Sequence, residues 1–220
     1  MYVVRPTNIM IRTPTRILNT GASGSGKIYF TQHLLRQLQR VCSPNQHYCY
    51  GSYQPLFDEM KKQDGVHFRE GVATLDDLKT WFTPTQRRLL VIDDLLRSCG
   101  NDGLVVDIFT KHSHHSNITV CYLIQDLFQA GKYAKTMNRN THYMAVFKNP
   151  RDKTGIRTVL LQAIPSLWQE ALTLFQEATQ QPFGYFWLDL HPALDDRYRL
   201  WINNILDKDF PAIVYEQIRV

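Results

Sequence analysis

Several things are scarce in this sequence, and each scarcity excludes a class of protein. Its 220 residues hold four cysteines, Cys42, Cys49, Cys99 and Cys121, with no C-x-x-C spacing among them. With no secretory signal either, free thiols in a reducing compartment are expected rather than a disulfide framework. No apolar run approaches the roughly 20 residues that cross a bilayer, and the opening Met1-Tyr2-Val3-Val4-Arg5-Pro6 has no apolar leader core. The chain is therefore expected to be soluble and intracellular, without a membrane partner. Repeats, low-complexity tracts and linkers are absent as well. Charge of one sign is only mildly in excess, at +5, which permits a polyanionic partner without requiring one.

What is present suits one well-packed domain. The hydrophobic share of 44% and aromatic share of 12% support a buried core. Residues 1–14 carry two prolines and little periodicity and read as an irregular lead-in. Residues 15–206 form the expected domain, and 207–220 stay unassigned. Short apolar runs recur along that domain and read as strands: Thr15-Arg16-Ile17-Leu18-Asn19, residues 47–51, 66–68, 89–92, 118–124, 143–147 and 185–188, with 199–205 a pairing partner for the last. Helical patterns lie between them. Phe30, Leu34, Leu38 and Val41 share one face of a helix that Pro44 ends, and residues 56–62 make one or two further turns. Thr74 with Asp77 three residues later starts another helix that Pro84 stops, followed by 105–110, 155–164 and 168–179. Residues after 124 read as a polar connection. Strands alternating with helices predict an α/β domain with a mostly parallel central sheet and helices on both faces.

The strongest local signal is Gly21-Ala22-Ser23-Gly24-Ser25-Gly26-Lys27, which fits G-x-x-x-x-G-K. Glycines let the backbone turn tightly enough for several N–H groups to face one anion. The helix that follows adds its positive end, and Lys27 adds a point charge for the outer phosphates of a nucleoside triphosphate. The next position usually supplies a hydroxyl to Mg²⁺, and here it is Ile28. A predicted strand precedes this loop and a predicted helix follows it, as a phosphate loop requires.

In an open parallel sheet, ligands sit beyond the carboxyl ends of the strands. Asp93-Asp94 follows the run 89–92, and Gln125 follows the run 118–124. The sheet is expected to gather both at the edge that carries the loop. Such an edge can cut a phosphoanhydride. The loop and Lys27 hold the phosphates, Asp93 organises Mg²⁺, Asp94 accepts a proton from water, and Gln125 senses the γ-phosphate. The histidines of Lys111-His112-Ser113-His114-His115 lack a cysteine or carboxylate at ligand spacing, so polar or phosphate contacts near the active-site edge are expected of them. Lys132, Lys135 and Arg139 suit either a nucleic-acid backbone or a solvated loop.

Taken together, the motifs resemble the poxvirus-type DNA-packaging ATPases of the FtsK/HerA superfamily of P-loop proteins, most of all the forms of Maverick/Polinton elements and adintoviruses. The resemblance rests on residues 21–27, on Tyr50-Gly51-Ser52-Tyr53-Gln54-Pro55-Leu56-Phe57-Asp58, and on Val91-Ile92-Asp93-Asp94-Leu95. It continues through residues 109–117, Gln125-Asp126-Leu127-Phe128 and residues 147–152, and so covers roughly 15 to 205. It implies a homo-oligomeric ring that hydrolyses ATP with Mg²⁺ at a Walker A/Walker B site and drives double-stranded DNA into a capsid, with the viral capsid or portal vertex as its partner. It also implies assembly in the host nucleus or cytoplasm, with possible carriage in the virion, and an arginine from a neighbouring subunit, for which Arg151 and Arg139 are the candidates. The family often has Asp-Glu where this chain has Asp93-Asp94. With Ile28, an apolar side chain unable to ligate Mg²⁺, the alternative is a weakened nucleotide-binding relative that serves in assembly or capsid docking.

Overall fold

The computed structural model describes residues 2–7, 11–42, 46–62, 66–82, 86–93, 95, 103–128, 133–202, 205 and 212–217. Pro44, Pro84, Asp94, Cys99 and Lys132 lie outside the described residues. Six strands are mutually parallel: β2 (Arg16–Thr20), β3 (Gln46–Tyr50), β4 (Val66–Glu70), β5 (Arg88–Asp93), β6 (Ile118–Ile124) and β7 (Tyr143–Phe147). Four antiparallel strands extend the sheet beyond β7: β8 (Tyr185–Asp189), β9 (Leu200–Ile202), β10 (Ala212–Gln217) and β1 (Tyr2–Thr7). The order is β1-β10-β9-β8-β7-β2-β6-β5-β3-β4.

Every residue of β5, β6 and β7 is buried, which is why these strands read as mainly apolar runs. Successive side chains then divide between two cores, as the pleat requires. Ile118, Val120, Tyr122 and Ile124 of β6 face one core, and Cys121 and Leu123 face the other. The first core is covered by α3 (Leu75–Trp81), α4 (Gly103–Asp107), a π-helical turn (Ile108–His112) leading into α5 (Ser113–His115), α6 (Ala134–Asn140), α7 (Lys153–Ala163) and α8 (Trp168–Ala178). The second is covered by α1 (Lys27–Leu38) and α2 (Leu56–Lys61), through Phe30, Leu34, Leu35, Phe57 and Met60. Each such side chain contributes about 1.5–3 kcal/mol when fully buried. The predicted α/β sheet with helices on both faces is what the chain forms. The predicted start at Thr74 is a complete capping box: Thr74 Oγ1 accepts from Asp77 N (3.2 Å), and Asp77 Oδ2 accepts from Thr74 N (2.7 Å).

Four expectations need correction. Residues 2–7 are not an irregular lead-in but strand β1, which runs antiparallel to β10 with Pro6 opposite Ile213. A proline is tolerated there because β1 is an edge strand. Part of the unassigned tail is that partner, β10. The polar connection after β6 contains α6, which buries only Met137 and so shows no apolar stripe. Helix α1 stops at Leu38, and Val41 is exposed rather than part of its buried face. Among the described residues, no helix is long and apolar enough to cross a membrane.

Candidate active site

Strand β6 lies between β2 and β5, so three parallel strands deliver their carboxyl ends side by side. The loop leaving β2 is tied to β6 by a hydrogen bond from Gly21 N to Ile124 O (3.3 Å). Gly24 and Gly26 have φ of +75° and +106°, values an L side chain rarely adopts. Beside Gly24 an added Cβ would meet nothing within 4 Å, so the backbone there is open to close approach. Gly26 caps α1 without a side-chain cap bond, and the first turn of α1 has no acidic residue. The turn therefore presents N–H groups and the positive end of a 12-residue helix. Asn19 in β2 secures this start by donating to Lys27 O and to Thr31 Oγ1, both at 3.0 Å.

Lys27 Nζ donates to Gly21 O and to Ala22 O (2.9 Å), which folds the ammonium over its own loop. Ser25 Oγ is buried in the loop with no hydrogen-bond partner among the described residues. An anion-shaped cradle and an orphaned hydroxyl both fit a phosphate ligand.

Asp93 is the last residue of β5 and is 8% exposed. Its Oδ2 accepts from Tyr48 Oη (2.8 Å) on neighbouring β3. Burial first, then the Asp93 carboxylate, pushes the Tyr48 phenol well above its ordinary range, so Tyr48 remains a donor and fixes the carboxylate's orientation. Mg²⁺ is commonly held by one or two carboxylates plus substrate phosphates and water, and Asp93 fits that demand. Among the described residues no group of three or more His, Cys, Asp or Glu makes a metal site from protein ligands alone.

These elements enclose a cleft of about 370 Å³. The loop contributes Ser23, Gly24, Gly26 and Lys27, and the strand ends contribute Asp93 and Gln125. Ile28 also lines it, half-buried against the α1 core. Gln125 is exposed, and its carbonyl accepts from Asn149 Nδ2 (3.1 Å), which also donates to Asp126 Oδ1 (2.9 Å). Ser52, Gln54 and Pro55, on the connection after β3, line the same cleft. Sequence reasoning gave them no role, although they fall within the motif Tyr50-Gly51-Ser52-Tyr53-Gln54-Pro55. It also overlooked Tyr48, Tyr29 and Phe183, whose signal is spatial.

Other candidates lie elsewhere. Arg151 is exposed on the connection between β7 and α7, and its side chain does not line this cleft. Arg139 and Lys135 are on α6, beside a separate groove that includes Phe128. The histidine run is not near the active-site edge. It ends just before β6 begins, and Arg16 Nη1 donates to Thr110 O (3.4 Å) at the amino end of β2. His112, His114 and His115 therefore sit at the opposite end of the sheet.

The genome packaging NTPase B204 from Sulfolobus turreted icosahedral virus 2, in complex with AMP, superposes with a TM-score of 0.54. The two share 13% identity over 89% of this chain and 100% of that one. This chain has the fold of a P-loop NTPase. The DNA-packaging ATPase B204 from Sulfolobus Turreted Icosahedral Virus gives a TM-score of 0.52 at 12% identity, over 95% of this chain and 100% of that chain. B204 in complex with AMPPCP gives 0.50 at 11%, over 94% and 100%. No family model and no curated protein matches this sequence. In P-loop NTPase terms, the loop, Lys27, Asp93 and Gln125 share one cleft, and Ile28 is the departure.

Proposed function

We propose that this chain is the ATP-hydrolysing subunit of a homo-oligomeric ring that packages double-stranded viral DNA into a capsid. The observation that carries this reading is the convergence of Lys27, Asp93 and Gln125 on one cleft through β2, β5 and β6. It is supported by a fold shared with a genome packaging NTPase that binds AMP and AMPPCP.

In this reading residues 21–28 form the nucleotide cradle. Lys27 exchanges its loop carbonyls for β- and γ-phosphate oxygens. Asp93, oriented by Tyr48, takes Mg²⁺, which when bound draws charge off the phosphate oxygens. Asp94 accepts a proton as the water oxygen bonds to the γ-phosphorus and the bond to the bridging oxygen breaks. Gln125 senses the γ-phosphate. Arg151 of a neighbouring copy, or else Arg139, neutralises the charge that develops. The exposure of both arginines suits a role reaching another subunit. The partner is the viral capsid or its portal vertex, and the site of action is the nucleus or cytoplasm of the infected cell, where virions assemble. The motifs of this chain resemble those of packaging ATPases from Maverick/Polinton elements and adintoviruses.

Mass and ATP turnover of the chain, measured with and without ATP and duplex DNA, test this. A ring-sized assembly whose turnover rises with DNA is expected. A strict monomer whose turnover ignores DNA overturns the motor.

Ile28 favours a second reading, a nucleotide-binding component of assembly with weak turnover. Steady-state turnover against Mg²⁺ concentration separates the two. Ile28→Thr is expected to restore a magnesium ligand and shift the curve to lower Mg²⁺. Superimposable curves remove any role for this position in metal binding.

A further inference from the structure

The turn before β8 carries a strained, exposed aromatic residue directly above the phosphate loop. Gly184 N donates to Gln181 O (3.0 Å), closing a turn with Pro182 second and Phe183 third. Phe183 has φ of +64°. A positive φ at the third position, after proline, normally selects Gly or Asn. Packing does not account for phenylalanine there, because its side chain is 58% exposed. The turn is firmly seated: a Cβ on Gly184 would fall 2.2 Å from Ala178 O at the end of α8. The ring's approach to the loop also depends on a missing side chain. A Cβ on Gly26 would sit 2.8 Å from Phe183 Cδ1 and 3.0 Å from its Cβ.

Seven large hydrophobic side chains are exposed among the described residues, and Phe183 at 58% and Tyr29 at 53% are the two most exposed. They touch each other, with ring centroids 5.7 Å apart and planes tilted by 50°. Both line the cleft that holds Lys27, and Phe183 also lines the groove along Ala22, Ser23, Gly24 and Ser25. Phe183 and Tyr29 line this cleft together with Ser23, Gly24 and Gly26, so a nucleotide whose phosphates rest on the loop has both rings beside it.

We propose that Phe183, walled by Tyr29, is a stacking shelf for the base of a nucleoside triphosphate. The proposal rests on the nucleotide-binding reading of the loop and adds how the base is held. The two rings are too close to admit a base between them, so it lies on an outward ring face. Because every base has such a face, recognition of this kind separates ATP from GTP only weakly. A phenylalanine kept in a conformation suited to glycine is then explained by the ligand it supports.

Calorimetric titration of the full chain with ATP, GTP and inorganic tripolyphosphate, each with Mg²⁺, tests the shelf. The natural protein should bind ATP and GTP within a few-fold of each other and both more tightly than tripolyphosphate. Phe183→Gly should weaken ATP by about tenfold, within the range of one base–aromatic stack. It should leave tripolyphosphate unchanged and move the melting temperature little, because glycine accepts this φ. Phe183→Tyr should keep ATP affinity. If Phe183→Gly binds ATP as the natural protein does, or weakens both ligands equally, the shelf is wrong and the phosphate loop stands. If the natural protein binds neither ATP nor tripolyphosphate, the loop reading falls and the shelf with it.

Discussion

The two ends of the parallel strands gather similar charges and use them in opposite ways. At the carboxyl ends, Lys27 rests on carbonyls of a glycine loop that is open beside Gly24, and the buried Ser25 hydroxyl has no partner among the described residues. At the amino ends, the cations are absorbed by neutral rings. Arg16 Nη2 lies 3.0 Å from His142 Nε2, and Arg12 Nη1 lies 2.7 Å from His191 Nδ1. Thr15 Oγ1 is 3.0 Å from His142 Nδ1, and the two histidine rings are 5.0 Å apart. Burial, then Arg16, His191 and His114, lowers His142 to about 4. Burial and Arg12 also lower His191, although Asp189 opposes this. One end therefore holds a cation whose partners a phosphate can replace, and the other holds cations whose partners are neutral side chains already in place. The lesson is that charge alone does not mark a site; exchangeable partners do.

The comparison breaks if substitutions at the two ends have the same effect. Lys27→Ala should reduce ATP turnover by roughly 10²–10³-fold, the scale of losing one donor to developing charge, with little change in melting temperature. Loss of folding in that variant would mean the loop is a structural element. Tyr48→Phe, one step back from the phosphates, should lower turnover by about tenfold, the lower end for a residue that orients a metal-binding carboxylate. It should also raise the Mg²⁺ needed for half-maximal rate. Unchanged magnesium dependence would deny Tyr48 that role.

Arg16→Met should behave in reverse, leaving turnover unchanged while costing about 1–3 kcal/mol from hydrogen bonds to His142, Thr110 O and Asn140. In a domain of this size that is a fall of a few degrees per kcal/mol in melting temperature. The last prediction concerns pH dependence. His142 and His47 both sit near 4 in the folded protein, against an ordinary 6.5. As pH falls below about 6.5, the unfolded chain therefore takes up protons before the folded one. Their contribution to stability is complete above that pH and is lost progressively down to about 4. Melting temperature should decline across that window, and His142→Gln should flatten the decline. An identical slope in the variant would show that His142 does not titrate as its surroundings require.

How much of this was legible in the chain depended on whether the signal was local. Strands β6 and β7 were readable to the residue, because both faces of each are covered and the run is mainly apolar. Gly21 to Lys27 could be read because each residue type answers a backbone demand. Asp93 and Gln125 were findable as polar residues ending buried strands, while Asp94 lies outside the described residues. Helix α6 was invisible because it buries only Met137, and β1 because its partner is some 200 residues away and Pro6 argues locally against a strand. The histidine run was placed at the wrong end because its spacing says nothing of which strand end it precedes. Phe183 was missed because what distinguishes it is a torsion angle, which composition and periodicity do not carry.

The rims of the ten-stranded sheet have a consequence for assembly. On one side β4 is only five residues long, carries His67, Arg69 and Glu70, and has Arg69 engaged by Asp77 of α3. On the other, β1 includes Pro6, whose nitrogen has no hydrogen to lend to a further strand. Lateral growth of the sheet into a neighbouring molecule is thus discouraged at both margins. In the proposed ring, copies would then meet through loops and helices, contacts that can slide and re-form without unzipping a ladder of backbone hydrogen bonds.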